Sequence, residues 1–152
     1  MVDEETRNLA VIEHGWDAFN KKTITTDAIR AGELAEVFEA FDRGIVWDTT
    51  AVGIPGIGEY HGHGGVRQFW LDWFEVVGDV HTDVRETAAV GDKVVSICHQ
   101  SASGMASGAT VEWDFAITFT MRDGKAVRGD VSLDLDEARQ VAGLQAPAAE
   151  NA

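Results

Sequence analysis

Cysteine and positive charge are both scarce in this sequence, and each shortage removes a class of protein. The single Cys98 among 152 residues cannot close an internal disulfide, so packing has to hold the fold and a reducing compartment suits it. No apolar run approaches the roughly 20 residues of a membrane-spanning helix. Lys and Arg number 12 against 26 Asp and Glu, a net charge of −14, and no basic cluster interrupts that excess. Such a surface repels phosphate backbones and anionic bilayers, so neither nucleic acid nor membrane is expected as a partner. The opening Met1-Val2-Asp3-Glu4-Glu5 is acidic and lacks the apolar stretch of a secretory signal, so a cytoplasmic location is expected. Neither a glycine-rich phosphate loop followed by lysine nor a dinucleotide fingerprint occurs, and no cofactor is expected.

Hydrophobic residues nevertheless make up 45% of the chain, with five Trp and seven Phe. That is enough to build one core in a single domain. Leu9, Ile12, Trp16 and Phe19 are spaced three, four and three apart, which predicts a first helix from about Asp3 to Asn20. A polar break follows, and a second helix is expected from Glu33 to about Phe41, burying Leu34, Val37, Phe38 and Phe41. Ile45-Val46-Trp47 reads as a short strand running into Asp48. A loop broken by glycine and Pro55 comes next. Val66, Phe69, Trp70, Trp73, Phe74 and Val77 then trace the wide stripe of a third helix from about Gly64.

Beyond Gly78 the period changes to two. Strands are predicted at Val80–Val84, Lys93–Ser103, Thr110–Met121 and Ala126–Leu133. Asp123-Gly124 suits a type I′ hairpin. Asp134 and Glu137 suit the cap of a last short helix ending near Gly143. Residues 1–144 form one expected domain and 145–152 a frayed tail. Helices followed by an antiparallel meander define an α+β domain.

The segments Trp16-Asp-Ala-Phe-Asn20, Ile45-Val-Trp-Asp48, Tyr60-His-Gly62 before Val66-Arg-Gln-Phe-Trp70, Phe119-Thr-Met-Arg-Asp-Gly-Lys125 and Asp134 carry a resemblance. Together they resemble the SnoaL-like polyketide cyclase and ketosteroid isomerase-like family, within the nuclear transport factor two superfold, over roughly Leu9 to Leu144. Lys21–Gly32 departs from the family by its length. The resemblance implies a curved antiparallel sheet wrapped over three N-terminal helices, enclosing a conical hydrophobic cavity. It also implies a small hydrophobic ligand, carbonyl-bearing or cyclic, and a homodimer formed through the outer sheet face. Trp16, Trp47, Tyr60, Phe69, Trp73, Gln100 and Trp113 are the expected wall residues that bind the substrate.

Asp48 matches the position of the isomerase's general base. A proton-abstracting carboxylate works in a dry pocket that raises its pKa, a pattern for which ketosteroid isomerase is itself the standard worked case. The alternative is that Asp48, Thr49 and Thr50 simply turn the chain. The isomerase's oxyanion partners do not carry over, since the matching positions read Gly15 or Trp16 and Ile117. The epoxide hydrolase pattern fails at Cys98, Gln100 and Val131. SnoaL-type cyclases use a His and an Asp on neighbouring strands, which points to His99 and Asp114. Simple alternation instead places that pair opposite the Trp113/Phe115 face, unless a β-bulge intervenes. His61 and His63 lack an acidic or cysteine ligand at useful spacing, so no metal is expected. The resemblance thus implies an enzyme that uses Asp48 as general acid or base in an isomerisation, cyclisation or dehydration without a cofactor. Two further readings stay open: a binding domain that holds its ligand unchanged, and an interaction module with a filled cavity.

Overall fold

A computed structural model describes residues 3–20, 26–54, 57–103 and 110–143. Lys21–Thr25, Pro55, the Gly104–Gly108 connection and the tail from 145 lie outside them. Helix α1 (Glu4–Phe19) opens on Asp3, whose carboxylate accepts the Thr6 N–H at 2.7 Å. This satisfies one of the donors that a helix start leaves free. Two short helices follow, α2 (Thr26–Arg30) and α3 (Ala35–Phe38). Strand β1 (Phe41–Asp48), a single 3-10 turn at Thr50–Val52 and β2 (Glu59–His61) lead to α4 (Gly62–Val77). The meander is β3 (Asp79–Val90), β4 (Lys93–Ser103), β5 (Val111–Arg122) and β6 (Lys125–Ser132), and α5 (Leu135–Ala142) closes the chain.

The six strands form one curved, unclosed sheet in the order β2-β1-β6-β5-β4-β3. Neighbours run antiparallel except β1 and β6, which pair in parallel through Trp47↔Gly129 and Asp48↔Asp130. Between β5 and β6, Asp123 at φ 53 and Gly124 at φ 78 both take positive φ, the requirement of the type I′ turn read from the sequence.

One core fills the concave side. Ile12 and Phe19 of α1 and Val66, Trp70, Phe74 and Val77 of α4 meet Val94 and Cys98 of β4 and Phe115, Ile117 and Phe119 of β5. The helix expected over 33–41 is shorter than its apolar spacing implied. Leu34, Val37 and Phe38 are buried as expected, but Phe41 opens β1 instead of ending a helix. A tertiary bond decides this, because the Ala40 carbonyl accepts from Ala126 N–H on β6 at 2.8 Å. Strand β2 falls between the predicted loop and the third helix, where the sequence predicts no strand. Strand alternation predicts a polar convex face from Glu112, Asp114 and Thr118. Its centre is instead apolar: Val95, Ile97 and Ala116 are covered by Ala138 and Ala142 of α5.

Candidate functional site: an aromatic cavity

The helices and the concave sheet face do not close on each other completely. They leave a cavity of about 320 Å³. Its walls come from α1 (Trp16, Phe19), from β1 and the turn after it (Trp47, Thr49, Val52, Ile54, Ile57), and from α4 (Phe69, Trp70, Trp73, Phe74). The sheet adds Thr82, Gln100, Trp113, Phe115, Ile117 and Val131, and Leu133 completes the lining. Strand alternation explains the sheet's share: the β4–β5 register pairs Gln100 with Trp113 without a slip, so both face inward. Trp73 and Trp113 meet edge to face with centroids 5.4 Å apart, a geometry aromatic quadrupoles favour.

Six of the seven expected wall residues lie on the wall: Trp16, Trp47, Phe69, Trp73, Gln100 and Trp113. Tyr60 does not. Its hydroxyl donates to Asp72 Oδ2 at 2.9 Å and its ring packs edge-on against Phe69, so it braces the wall from behind. Burial, with the Asp72 carboxylate alongside, pushes the Tyr60 phenol up to about 12.

Polar groups on the wall are few and mostly spent. Trp16 Nε1 donates to Ser96 Oγ at 2.9 Å, and Thr49 Oγ1 donates to the Gly58 carbonyl at 2.6 Å. Trp73 Nε1 donates to Gln100 Oε1 and Gln100 Nε2 donates to Thr82 Oγ1, each at 2.8 Å. The Trp47 indole N–H is buried within aromatic packing and has no hydrogen-bond partner among the described residues. Thr82 was not singled out in the sequence. Its position between Val80 and Val84, in phase with an inward face, was the available signal.

The three residues expected to be catalytic lie outside the cavity. Asp48 was expected to face inward with a raised pKa, and the structure corrects both points. Trp47 and Asp48 are adjacent on a strand, so only one can point inward, and the indole takes the core. Asp48 instead lines a separate outer groove with Thr50, Asp130, Asp134 and Glu137. Its Oδ1 accepts the Thr50 hydroxyl at 2.6 Å and the Thr50 N–H at 2.9 Å, and its Oδ2 accepts Arg128 Nη2 at 2.9 Å. The Thr50 bonds above all, with Arg128 behind them, hold its carboxyl below the usual 3.8 despite partial burial.

His99 and Asp114 are directly opposed across β4 and β5, on the convex face. His99 Nδ1 lies 2.7 Å from Asp114 Oδ1 and its Nε2 lies 3.0 Å from Glu112 Oε1. These two bonds, Asp114 first, raise the His99 pKa above its ordinary 6.5. No bulge interrupts this pairing, so the inward arrangement that a cyclase pair requires is not formed. His61 contacts Glu59 and His63 donates Nε2–H to the Phe41 carbonyl. Among the described residues no group of three or more His, Cys, Asp or Glu could hold a metal. Cys98 is buried, and burial pushes its thiol up to about 12, which leaves it unreactive.

The SnoaL-like domain model matches residues 23–129. The chain belongs to the SnoaL-like domain family. Solved structures share the fold at low identity. TerC, co-crystallised with polyporic acid, is 24% identical with a TM-score of 0.68, covering 90% of this chain and 98% of its own. Bal32a, from a soil-derived mobile gene cassette, is 17% identical with a TM-score of 0.67, covering 92% and 98%. An NTF2-like protein of unknown function from Burkholderia pseudomallei is 16% identical with a TM-score of 0.64, covering 90% and 97%. No curated protein matches the chain. Likeness at this level speaks for the fold, and the chemistry of this SnoaL-like domain has to be argued from its own cavity.

Proposed function

We propose that this SnoaL-like domain binds an uncharged, largely apolar small molecule in the aromatic cavity and holds it without acid–base chemistry. One observation carries the reading: among the described lining residues none is titratable. General acid–base catalysis needs a proton donor or acceptor within hydrogen-bond reach of the reacting atom. Asp48, His99 and Asp114, which were expected to supply it, bond to partners outside the cavity. The volume, about 320 Å³, falls in the range of small-ligand sites, and aromatic walls with a few polar groups are what such sites use. That TerC, of the same fold, was crystallised with a small molecule supports the reading. Pairing of two copies through the part of the convex face that α5 leaves open belongs to the same proposal.

The test is calorimetric titration with tetralin, a neutral bicyclic hydrocarbon, alongside tryptophan fluorescence. Saturable binding that quenches Trp73 and Trp113 is expected. Absence of heat and of any spectral change would sink the binding reading. Conversion of a carbonyl-bearing ligand on incubation would return the domain to the enzymes.

A further inference from the structure

The orientation of one amide inside the cavity defines what the ligand must offer, an inference that rests on the binding reading above. An indole N–H can only donate, so the atom of Gln100 that faces Trp73 Nε1 at 2.8 Å is its oxygen. The amide nitrogen therefore faces Thr82 Oγ1, also at 2.8 Å, and donates to it. Gln100 and Thr82 are cross-strand partners on the inner face, 7% and 2% exposed. This arrangement leaves two hydrogens over. Gln100 Nε2 carries a second N–H, and Thr82 keeps its hydroxyl hydrogen because its oxygen is the acceptor. Neither has an acceptor among the described residues. Gln100 Oε1 already accepts one bond. A carbonyl oxygen tolerates an unused lone pair better than a buried donor tolerates having no acceptor.

We propose that Gln100, locked by Trp73 and Thr82, selects an uncharged ligand that carries a hydrogen-bond acceptor, and seats that acceptor beside the Trp73–Trp113 corner. Gln100 is the register partner of Trp113 on the neighbouring strand, so a flat ring reaching the donors lies against both indoles. Two adjacent donors would also suit a carboxylate. No lysine, arginine or histidine is among the described lining residues, however, and an unpaired anion taken out of water costs far more than two hydrogen bonds return. The selected class is therefore neutral: a ketone, quinone or ester, not an acid.

Three probes of similar size separate the possibilities: tetralin, α-tetralone and naphthoate. The decisive variant is Gln100→Met in a Trp73→Phe background, so that no freed indole N–H replaces the lost donor. It is compared with Trp73→Phe alone. The affinity ratio of α-tetralone to tetralin should fall roughly three- to tenfold on losing the amide, the scale of one hydrogen bond. An unchanged ratio, or naphthoate binding more tightly than α-tetralone, overturns the inference. If neither tetralin nor α-tetralone binds the unaltered protein, the binding reading falls and takes this one with it. Should the variant fail to fold, infrared spectroscopy of α-tetralone on the unaltered protein decides instead. Its carbonyl stretch should lie below the frequency in cyclohexane, and an unshifted band overturns the proposal.

Discussion

At the scale of single residues, Asp48 and His99 are mirror images in their response to pH. Asp48 is 18% exposed and accepts three hydrogen bonds that depress its pKa below 3.8. A depressed folded pKa contributes stability that is present above the unfolded value and lost as pH falls through the folded one. Asp48→Asn should therefore cost about 1 kcal/mol at neutral pH. The difference should vanish once the pH drops well below 3.8, as urea unfolding at the two extremes will show. His99 runs the other way. Its folded pKa lies above 6.5, so the stability it contributes is complete below that value and disappears as pH rises through the folded pKa. His99→Gln should flatten the fall in denaturant midpoint from pH 6.5 upward, and an unaltered profile would count against the Asp114 and Glu112 bonds. Alternation on β1 put Trp47 and Asp48 on opposite faces from the sequence alone, yet it could not say which faced inward. The larger apolar area of the indole settles that: Trp47 takes the core and Asp48 the outer groove.

Among the elements, the long periodic ones were legible and the short or non-local ones were not. Helices α1 and α4 and strands β4, β5 and β6 stand within a few residues of their predicted bounds, because each repeats its apolar spacing over several turns or pleats. Helix 33–41 failed because Phe41 fits a helical stripe and a strand equally well, and only the bond between Ala40 and β6 decides. Strand β2 has three residues, too few to show a period. The parallel β1–β6 pairing links residues about 80 positions apart, and nothing local encodes such a contact. One glycine makes that pairing possible. A Cβ on Gly129 would sit 2.7 Å from Trp47 Cε3 and Cζ3, far inside van der Waals contact. Phe41, Phe69 and Phe119 hold the indole with centroids 5.7 to 6.1 Å away, so it has little room to retreat. Gly129→Ala should destabilise by about 1–3 kcal/mol and, since Trp47 is also cavity wall, weaken tetralin uptake. A variant with full stability and full uptake would show that the indole shifts freely.

At the scale of the whole molecule, charge governs how two copies can meet. Each chain carries −14, and the part of the convex face that α5 does not cover presents Glu112 and Asp114, both exposed. Pairing there brings like charges together. The penalty is long-ranged at low ionic strength, where the screening length is about 30 Å at 0.01 M, and short-ranged at about 10 Å near 0.1 M. The apolar patch that could oppose it is modest, because Val95, Ile97 and Ala116 are already buried under α5. The proposed dimer should therefore tighten as salt is added. It should also tighten as pH falls towards 6.5, where His99 gains the positive charge that offsets its two carboxylate neighbours. Sedimentation velocity over a salt series at two pH values measures both slopes. A monomer throughout removes the dimer from the proposal and leaves the cavity reading intact, since every lining residue identified belongs to one chain. A dimer that weakens with salt would place the contact elsewhere, on a surface held by ion pairs.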